Sequence, residues 1–377
     1  MRFHVLGIPH TISDPEWSAC AFTTKAMKFC KMMSSEHTVF HYGHELSKVI
    51  CTEHVTVVDQ EIFNEVYGSH DWKHKLFKYD LNDKCYTTFY DNAIKEISKR
   101  FQPYDFVLLF WGWGHKKIAD GLRDLKLAKI IFVEPGIGYP LGGIDVLNHH
   151  VYESYSIMNR HLGWLEKAGK NSAPKCYDVV IPNYFDPNEF EIDTPGDYFV
   201  YIGRIVHEKG VYIAIDITKR CGEKLIVAGQ GSLDKEYDHV QHIGYVNVEA
   251  RKKLLKNAKG LFCPSFYNEP FGGIAVEAMM SGVPVITTDW GAFPETVQHG
   301  VTGYRCRNMD HFNWAVKNID KIDRNKCRQW AIDNYSINRI KLMYEEYFSM
   351  LIDLYEGGGF YHVSNDRENL DWLIRYT

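Results

Sequence analysis

Residues 262–277 read FCPSFYNEPFGGIAVE, and the residue pattern of this stretch changes twice, after residue 264 and again at Gly272. Residues 262–264 end a short apolar run that predicts a β-strand, a loop follows, and Gly272 and Gly273 open a pattern typical of a helix. Free backbone amides at the start of a helix attract anions, because the helix dipole places roughly half a positive charge there. The stretch therefore predicts a strand, a loop and a helix, with an anion site at residues 271–274.

Two carboxylates flank this predicted anion site. Glu269 lies in the loop before the helix, and Glu277 lies about one turn inside it. Carboxylates accept hydrogen bonds from vicinal hydroxyl groups, so the arrangement suits a sugar phosphate. The alternative is that Glu277 complements the helix dipole and Glu269 is an ordinary loop charge.

A second charged segment, VYIGRIVHEKG, occupies residues 200–210. Arg204 lies at the carboxyl end of a predicted strand, and Lys209 lies just before the next predicted helix. Two cations at one strand end match a diphosphate, because Arg offers a planar fork and Lys a point charge. The alternative is a pair of solvated cations balanced by Glu208.

Short apolar runs alternate with helical patterns along the whole chain, which is typical of parallel α/β sheets. A cluster of turn-forming residues at 182–197 marks a domain boundary near the midpoint of the 377 residues. We expect an N-terminal domain at 1–186, a C-terminal domain at 187–340, and a helix and apolar tail at 341–377 that pack back towards the N-terminal domain. The predicted strands are 3–8, 38–41, 55–58, 106–110, 130–133, 179–181, 198–202, 224–228, 260–263 and 283–287.

Composition excludes several classes of protein. Hydrophobic residues make up 45% and charged residues 24%, which rules out a largely disordered chain. The net charge of −5 gives no reason to expect nucleic acid or an anionic membrane as the main partner. The nine cysteines include no Cys-x-x-Cys pair for zinc or redox chemistry, and no run of ~18 apolar residues exists to cross a membrane. We expect a soluble, cytoplasmic protein.

Together these segments resemble the donor half of the GT-B glycosyltransferases, specifically the retaining glycosyltransferase family 4, also called glycosyl transferases group 1. The resemblance covers residues 178–305 well and the first half only in architecture. The motifs that carry it are Gly203-Arg204 followed by Lys209-Gly210, the Glu269 and Glu277 pair with seven residues between, SGVPVITT at 281–288, and then Gly291, Glu295 and GVTG at 300–303.

The resemblance implies an α/β GT-B architecture of two Rossmann-like domains whose parallel sheets face an interdomain cleft. It implies that Arg204 and Lys209 hold the diphosphate of a nucleotide sugar. Glu277 would bind the ribose hydroxyls, and Glu269 would face the transferred sugar. The remaining residues that it places near the donor are Gly203, Phe271, Gly272, Gly273 and Ile274 beside phosphate and sugar, and Gly229, Gly231, Tyr245 and Val246 near the base.

The implied function is retaining transfer of a hexose to a glycan, lipid or protein. Mannose from GDP-mannose is the first candidate donor, and a UDP-sugar such as UDP-glucose is close behind. We expect no metal, because the sequence contains no Asp-x-Asp pair and the two cations supply the positive charge. The alternatives are a nucleotide-sugar epimerase or hydrolase and a non-catalytic nucleotide-sugar binding protein. A dinucleotide oxidoreductase is disfavoured, since no Gly-x-Gly-x-x-Gly follows the first strand.

The first half departs from the family pattern. Many members carry a His at the end of a first-domain strand, where this sequence has Glu134. The segment from Trp111 to His115 predicts either a surface that stacks on acceptor sugars or a pair of tryptophans in the core. His149, His150 and His161 lack metal-ligand spacing, so we interpret them as surface or packing residues.

Overall fold

The computed structural model describes residues 1–72, 75, 77–138, 149–170, 177–357 and 369–370. These residues form two compact units, each with its own parallel sheet. The first unit contains Met1–Tyr152, His161–Ile181 and Lys341–Leu370, and the second contains Glu153–Arg160 and Pro182–Ile340. The division after residue 181 lies in the predicted turn cluster, and it assigns the short segment Glu153–Arg160 to the second unit.

The first unit contains a parallel sheet with the strand order β3-β2-β1-β4-β5-β6-β7 among the described residues. Every residue of β4 and β5 is buried, as expected where helices cover both faces of a parallel sheet. The strands are β1 (Arg2–Leu6), β2 (Thr38–His44), β3 (Glu53–Val58), β4 (Phe106–Leu108), β5 (Ile131–Ile137), β6 (His149–Tyr152) and β7 (Val179–Val180).

The helices that begin in this half of the chain are defined by clear local signals. Asp59 and Asp83 cap α2 and α3, since each side chain accepts a hydrogen bond from an amide in the first turn. The helices are α1 (Ala21–Met33), α2 (Gln60–Tyr67), α3 (Lys84–Arg100), α4 (Lys116–Asp124) and α5 (Tyr155–Lys167).

The second unit contains a parallel sheet with the order β10-β9-β8-β11-β12-β13. This is the Rossmann order 3-2-1-4-5-6, and its switch point lies between β8 and β11. The strands are β8 (Tyr198–Ile202), β9 (Lys224–Ala228), β10 (Val240–Gly244), β11 (Gly260–Cys263), β12 (Val285–Thr288) and β13 (Gly303–Cys306). The helices are α6 (Val211–Cys221), α7 (Val248–Lys256), α8 (Gly273–Met280), α9 (Phe293–Thr296), α10 (Met309–Lys317) and α11 (Arg324–Tyr335).

The final helix, α12 (Ile337–Glu356), contributes to the core of the first unit. The ring of Phe348 lies 4.8 Å from that of Phe3 and 4.7 Å from that of Phe106, measured between ring centres. Leu370 is also buried. Phe360, Trp372 and Leu373, which contribute to the apolar character of the tail, lie outside the described residues.

The predicted α/β class with two Rossmann-like parallel sheets is confirmed. None of the described helices combines the length and the apolar character needed to cross a membrane.

Candidate functional site

The switch point of the second sheet opens into a cavity of about 300 Å³. Its walls come from the carboxyl ends of β8 and β11, the loops that follow them, the start of α8, and Phe293 of α9. Cavities of this size bind small molecules, and such switch points are where open parallel sheets bind ligands. The cavity brings together these predicted site residues: Gly203, Arg204, Lys209, Glu269, Gly272, Gly273 and Ile274.

The ammonium group of Lys209 is held on the cavity wall by two partners. Its Nζ donates a 2.9 Å hydrogen bond to Oε2 of Glu269 and a 2.6 Å hydrogen bond to the hydroxyl of Tyr267. The Ser265 hydroxyl donates to the same carboxylate oxygen at 3.1 Å. Burial and the nearby Glu269 raise the pKa of Tyr267, so the phenol stays neutral. The lysine charge is therefore fixed in place and partly neutralised.

Arg204 differs from Lys209 in exposure. Its side chain is exposed, and no hydrogen bond or ion pair of its guanidinium group is seen among the described residues. Its backbone is fixed, because the hydroxyl of buried Tyr201 donates to the Arg204 carbonyl oxygen at 2.9 Å. The guanidinium fork is thus available to an anion in the cavity.

The loop from β8 to α6 packs closely against the loop after β11. Gly210 has φ +73°, and a Cβ added there would overlap the carbonyl oxygen of Pro264. The Phe266 amide also donates to the Glu208 carbonyl oxygen at 2.7 Å. Glycine is the residue that fits this left-handed position without a clash, so the close approach of the two loops depends on it.

The start of α8 supplies backbone donors to the cavity. Gly272 precedes the helix with φ +80°, and no side chain caps the first amides. Gly272, Gly273 and Ile274 line the cavity. Uncapped amides at a helix start bind anions, and here they lie in the same cavity as Arg204 and Lys209.

The loop that carries Glu269 is supported at its backbone. The Ala292 amide donates to the Glu269 carbonyl oxygen at 2.9 Å. Gly291, at φ +64°, approaches so closely that an added Cβ would lie 2.6 Å from the Glu269 nitrogen. The family motif Gly291 therefore permits the contact that holds the Glu269 loop.

The first turn of α5 supports the same loop through side chains. Ser154 Oγ donates to the Pro270 carbonyl oxygen at 2.6 Å, and Ser156 Oγ donates to Oδ1 of Asn268 at 2.7 Å. Glu295 accepts hydrogen bonds from the amides of Tyr155 and Ser156 at 2.8 and 2.7 Å. Burial raises the pKa of Glu295, although these two amides oppose the shift. Glu295 is thus an anchor of α5 rather than a member of the cavity wall.

Glu277 is oriented by a residue that sequence reasoning missed. Both of its carboxylate oxygens accept hydrogen bonds from Arg251 of α7, at 2.6 Å from Nε and 3.1 Å from Nη2. Glu277 is outside the set of residues that line the 300 Å³ cavity, whereas Gly273 and Ile274, one turn earlier in α8, belong to it. The sequence carries no local signal for this pair, because its members lie 26 residues apart on different helices.

The residues expected near the base lie on the neighbouring strand ends. Gly229 and Gly231 follow β9, and Tyr245 and Val246 follow β10. Gly229 has φ +146°, and a Cβ there would overlap the Gly203 carbonyl oxygen. None of these four residues lines the 300 Å³ cavity.

Phe271 also lies outside the cavity lining. It is buried, with its ring 5.6 Å from that of Tyr335, centre to centre.

The first-unit candidates are mostly buried. Glu134 is buried within β5. Trp111 is half-buried and Trp113 is 36% exposed, while His115 is buried and donates from Nε2 to the Gly7 carbonyl oxygen at 2.9 Å.

The histidines whose spacing argued against a metal site are packing residues. His150 lies 2.9 Å from Oδ1 of Asp178, and His161 lies 2.7 Å from the Tyr152 hydroxyl. His149 is buried too. No group of three or more His, Cys, Asp or Glu side chains in the described part of the chain could hold a metal ion.

Comparison with known sequences gives a family for the second unit. Residues 184–336 match the family described as glycosyl transferases group 1. An uncharacterized glycosyltransferase of Methanocaldococcus jannaschii is 32% identical over 209 residues, which is 47% of this chain and 52% of the relative. Glycogen synthase of Mycobacterium tuberculosis is 33% identical over 126 residues, 29% of this chain and 30% of the relative. The match thus spans about half the length of the first relative and less of the second.

Comparison with solved structures extends over both units. AviGT4, a glycosyltransferase involved in avilamycin A biosynthesis, aligns over 95% of this chain and 98% of its own with a TM-score of 0.64 and 18% identity. HepE of Anabaena, solved with UDP and glucose, aligns over 93% and 99% with a TM-score of 0.63 and 14% identity. Such low identities show the fold alone, which is GT-B. The resemblance indicated by the sequence motifs is confirmed at the level of group 1.

Proposed function

We propose that this chain, whose residues 184–336 match the glycosyl transferases group 1, is a retaining hexosyltransferase that uses a nucleotide diphosphate sugar. The observation that carries the proposal is the cavity between β8 and β11, where Arg204, Lys209, Glu269 and the start of α8 meet. Two cations and a set of free amides in one cavity suit a diphosphate. A carboxylate beside them suits the hydroxyls of a sugar.

The proposed chemistry depends on charge that develops at the leaving group. The bond between the anomeric carbon and the terminal phosphate oxygen breaks, and negative charge grows on the diphosphate. An acceptor oxygen bonds to the anomeric carbon on the same face, and its proton passes to the leaving diphosphate. Arg204, Lys209 and the amides of Gly272 and Gly273 stabilise that charge, and they do so most in the transition state. We propose that these groups take the place of a metal ion. Glu269 orients the transferred hexose.

Two donors are candidates. GDP-mannose is the donor that the family resemblance favoured, and UDP-glucose is supported by the solved complex of HepE with UDP and glucose. The acceptor is a glycan, a lipid or a protein. Trp111 and Trp113, near the carboxyl end of β4, are candidates for stacking on an acceptor sugar.

We also propose a cytoplasmic location. All eight cysteines in the described residues are free, which fits a reducing compartment.

The experiment starts with donor binding. Thermal unfolding of the full chain is measured with GDP, UDP and ADP and with their hexose conjugates, because a bound ligand raises the midpoint. The best donor is then incubated, as a labelled hexose conjugate, with glycan, lipid and protein acceptors. Transfer with an α-linked product from an α-linked donor supports the proposal.

The competing functions give different results in the same experiment. Release of free hexose without transfer indicates a hydrolase, and an altered donor sugar indicates an epimerase. Binding without any turnover indicates a non-catalytic binding protein. Failure to bind any of these nucleotides overturns the proposal.

A further inference from the structure

The ion pair between Arg251 and Glu277 is unusual in this unit for its geometry. The guanidinium group uses Nε and Nη2 to bind the two carboxylate oxygens, at 2.6 and 3.1 Å. The side chains are only 21% and 14% exposed, so water competes weakly for them. A bidentate pair of this kind fixes the plane of the carboxylate as well as its position.

The pairing leaves part of the carboxylate free. An ionised carboxylate offers about four acceptor positions, and Arg251 occupies one on each oxygen. One position on each oxygen therefore remains, which matches the two vicinal hydroxyls of a ribose.

Arg251 links α7, the helix after β10, to α8, the helix after β11. Helix α7 begins at Val248, three residues after Tyr245, and its N-cap Asn247 accepts a hydrogen bond from the Ala250 amide at 2.9 Å. Arg251 lies in the next turn and reaches across to α8. The pair thus connects the helix that follows the expected base-side residues with the helix whose start lines the cavity.

We infer that Arg251 is a positioning residue that aims the Glu277 carboxylate at the ribose hydroxyls of the nucleotide and so makes the site selective for ribonucleotides. This inference rests on the proposed function and goes beyond it, because it assigns a role to a residue outside the family motifs. The alternative is that the pair only ties α7 to α8. A structural tie affects stability and the binding of all nucleotides equally, whereas an aimed carboxylate affects those that carry the 2′-hydroxyl.

The experiment compares ribonucleotides with their 2′-deoxy counterparts. Dissociation constants of UDP, GDP and ADP are measured by calorimetry with the full chain, and the tightest is compared with its 2′-deoxy form. We expect the wild type to prefer the ribonucleotide by about tenfold or more, since hydrogen bonds to charged groups are strong. Glu277→Gln and Arg251→Gln each reduce that ratio to about one to three. Arg251→Lys, which keeps the charge without the fork, falls in between.

The matched control is Lys252→Gln, which removes a cation from the next position of α7. Lys252 pairs with Glu249 and Glu189 and not with Glu277, so the ratio stays at the wild-type value. Thermal unfolding of each variant without nucleotide shows whether the variant is folded. If Arg251→Gln does not fold, Arg251→Lys provides the test instead.

The inference is overturned if Arg251→Gln keeps the wild-type ratio between the two dissociation constants, whether or not it binds both nucleotides more weakly. A wild type that binds nucleotides without preferring the ribose form overturns the inference and leaves the proposed function intact. A wild type that binds none of the nucleotides overturns both.

Discussion

Between β8 and β11 of the second sheet, the loops leave a cavity lined by Arg204 and Lys209. Between β1 and β4, the corresponding point of the first sheet, the loops carry imidazole and indole rings. There His115 donates to the Gly7 carbonyl oxygen, and the His10 ring lies 5.3 Å from that of Trp111, centre to centre. The two sheets share the order of their first six strands. The comparison indicates that the topology of a parallel sheet determines where a ligand can bind, and that the side chains of the loops determine whether a ligand binds there.

The two units also bury different polar groups. All eight histidines that are buried among the described residues belong to the first unit: His4, His10, His41, His44, His115, His149, His150 and His161. In the second unit the buried ionisable side chain beside the cavity is Glu269. The first unit thus carries buried imidazoles in its core, and the second carries paired charges beside its cavity.

The largest expected effect on turnover comes from removing either cation of the cavity between β8 and β11. Arg204→Ala or Lys209→Ala removes a charge that stabilises the leaving diphosphate, so turnover falls by about 100-fold or more. Steady-state rates measured with the donor identified by binding check this. Arg220→Ala is the control, because Arg220 is an exposed residue of α6 that pairs with Asp216. Wild-type rates in both cavity variants would remove the chemical distinction between the two switch points.

The second prediction concerns the close approach of two loops beside the cavity. In Gly210→Ala the new Cβ meets the Pro264 carbonyl oxygen at φ +73°, and we expect the free energy of unfolding to fall by about 3 kcal/mol. Gly222 has a similar φ of +70° with open space around it, so Gly222→Ala loses only about 1 kcal/mol. Urea denaturation measures both. Equal losses would show that backbone conformation alone, and not loop packing, sets the cost.

The third prediction uses the buried histidines of the first unit. Burial lowers the pKa of His10, His41 and His115 to about 3, with neighbouring histidines adding to the shift for His10 and His41. In the unfolded chain these groups take up a proton near pH 6.5. The unfolded state therefore binds more protons below that pH, so the stability present at pH 7 and above is lost as the pH falls from about 6.5 towards 3.

We expect this loss of stability on acidification to affect the first unit before the second. Hydrogen exchange at pH 7 and pH 5 measures it through the amides of β1 and β4. His115→Gln makes the pH dependence of unfolding less steep, whereas His311→Gln, at an exposed position of α10, leaves it unchanged. Equal loss of protection in both units on acidification would contradict the assignment to the histidines.

The smallest expected effect is that of a chelator. We expect excess EDTA to leave turnover unchanged, because we assign the charge balance at the diphosphate to Arg204 and Lys209. Rates are compared before and after dialysis against EDTA, and again after Mg²⁺ is added. If EDTA removes the activity and Mg²⁺ restores it, the cavity between β8 and β11 needs a metal ion in addition to Arg204 and Lys209.

In the second unit the sequence predicted the central strands better than the edge strands. Predicted strands 198–202, 224–228 and 260–263 coincide with β8, β9 and β11, because each is a short apolar run that ends at a turn. The edge strands β10 and β13 were not predicted, since polar residues interrupt the apolar residues in both of these short segments.

The candidate site was predicted wherever its residues follow a strand within a few positions. Arg204, Lys209 and Glu269 meet because the carboxyl ends of parallel strands share one edge. Tyr267 and Arg251 have no such local signal. Tyr267 is one of several aromatic residues in its loop, and Arg251 is one of four cationic residues of α7. Their roles depend on contacts between elements, which spacing along the chain does not encode.

The hydrogen bond between Lys209 and Glu269 places a negative charge directly beside a cation of the cavity, and we expect this to affect which anions bind there. An entering anion has to compete with a carboxylate that is tethered beside the lysine and therefore present at a high effective concentration. Chloride offers a single contact in exchange. A ligand with several charged oxygens can contact Lys209, Arg204 and the start of α8 at once. We therefore expect Glu269 to weaken the binding of simple anions more than the binding of a diphosphate.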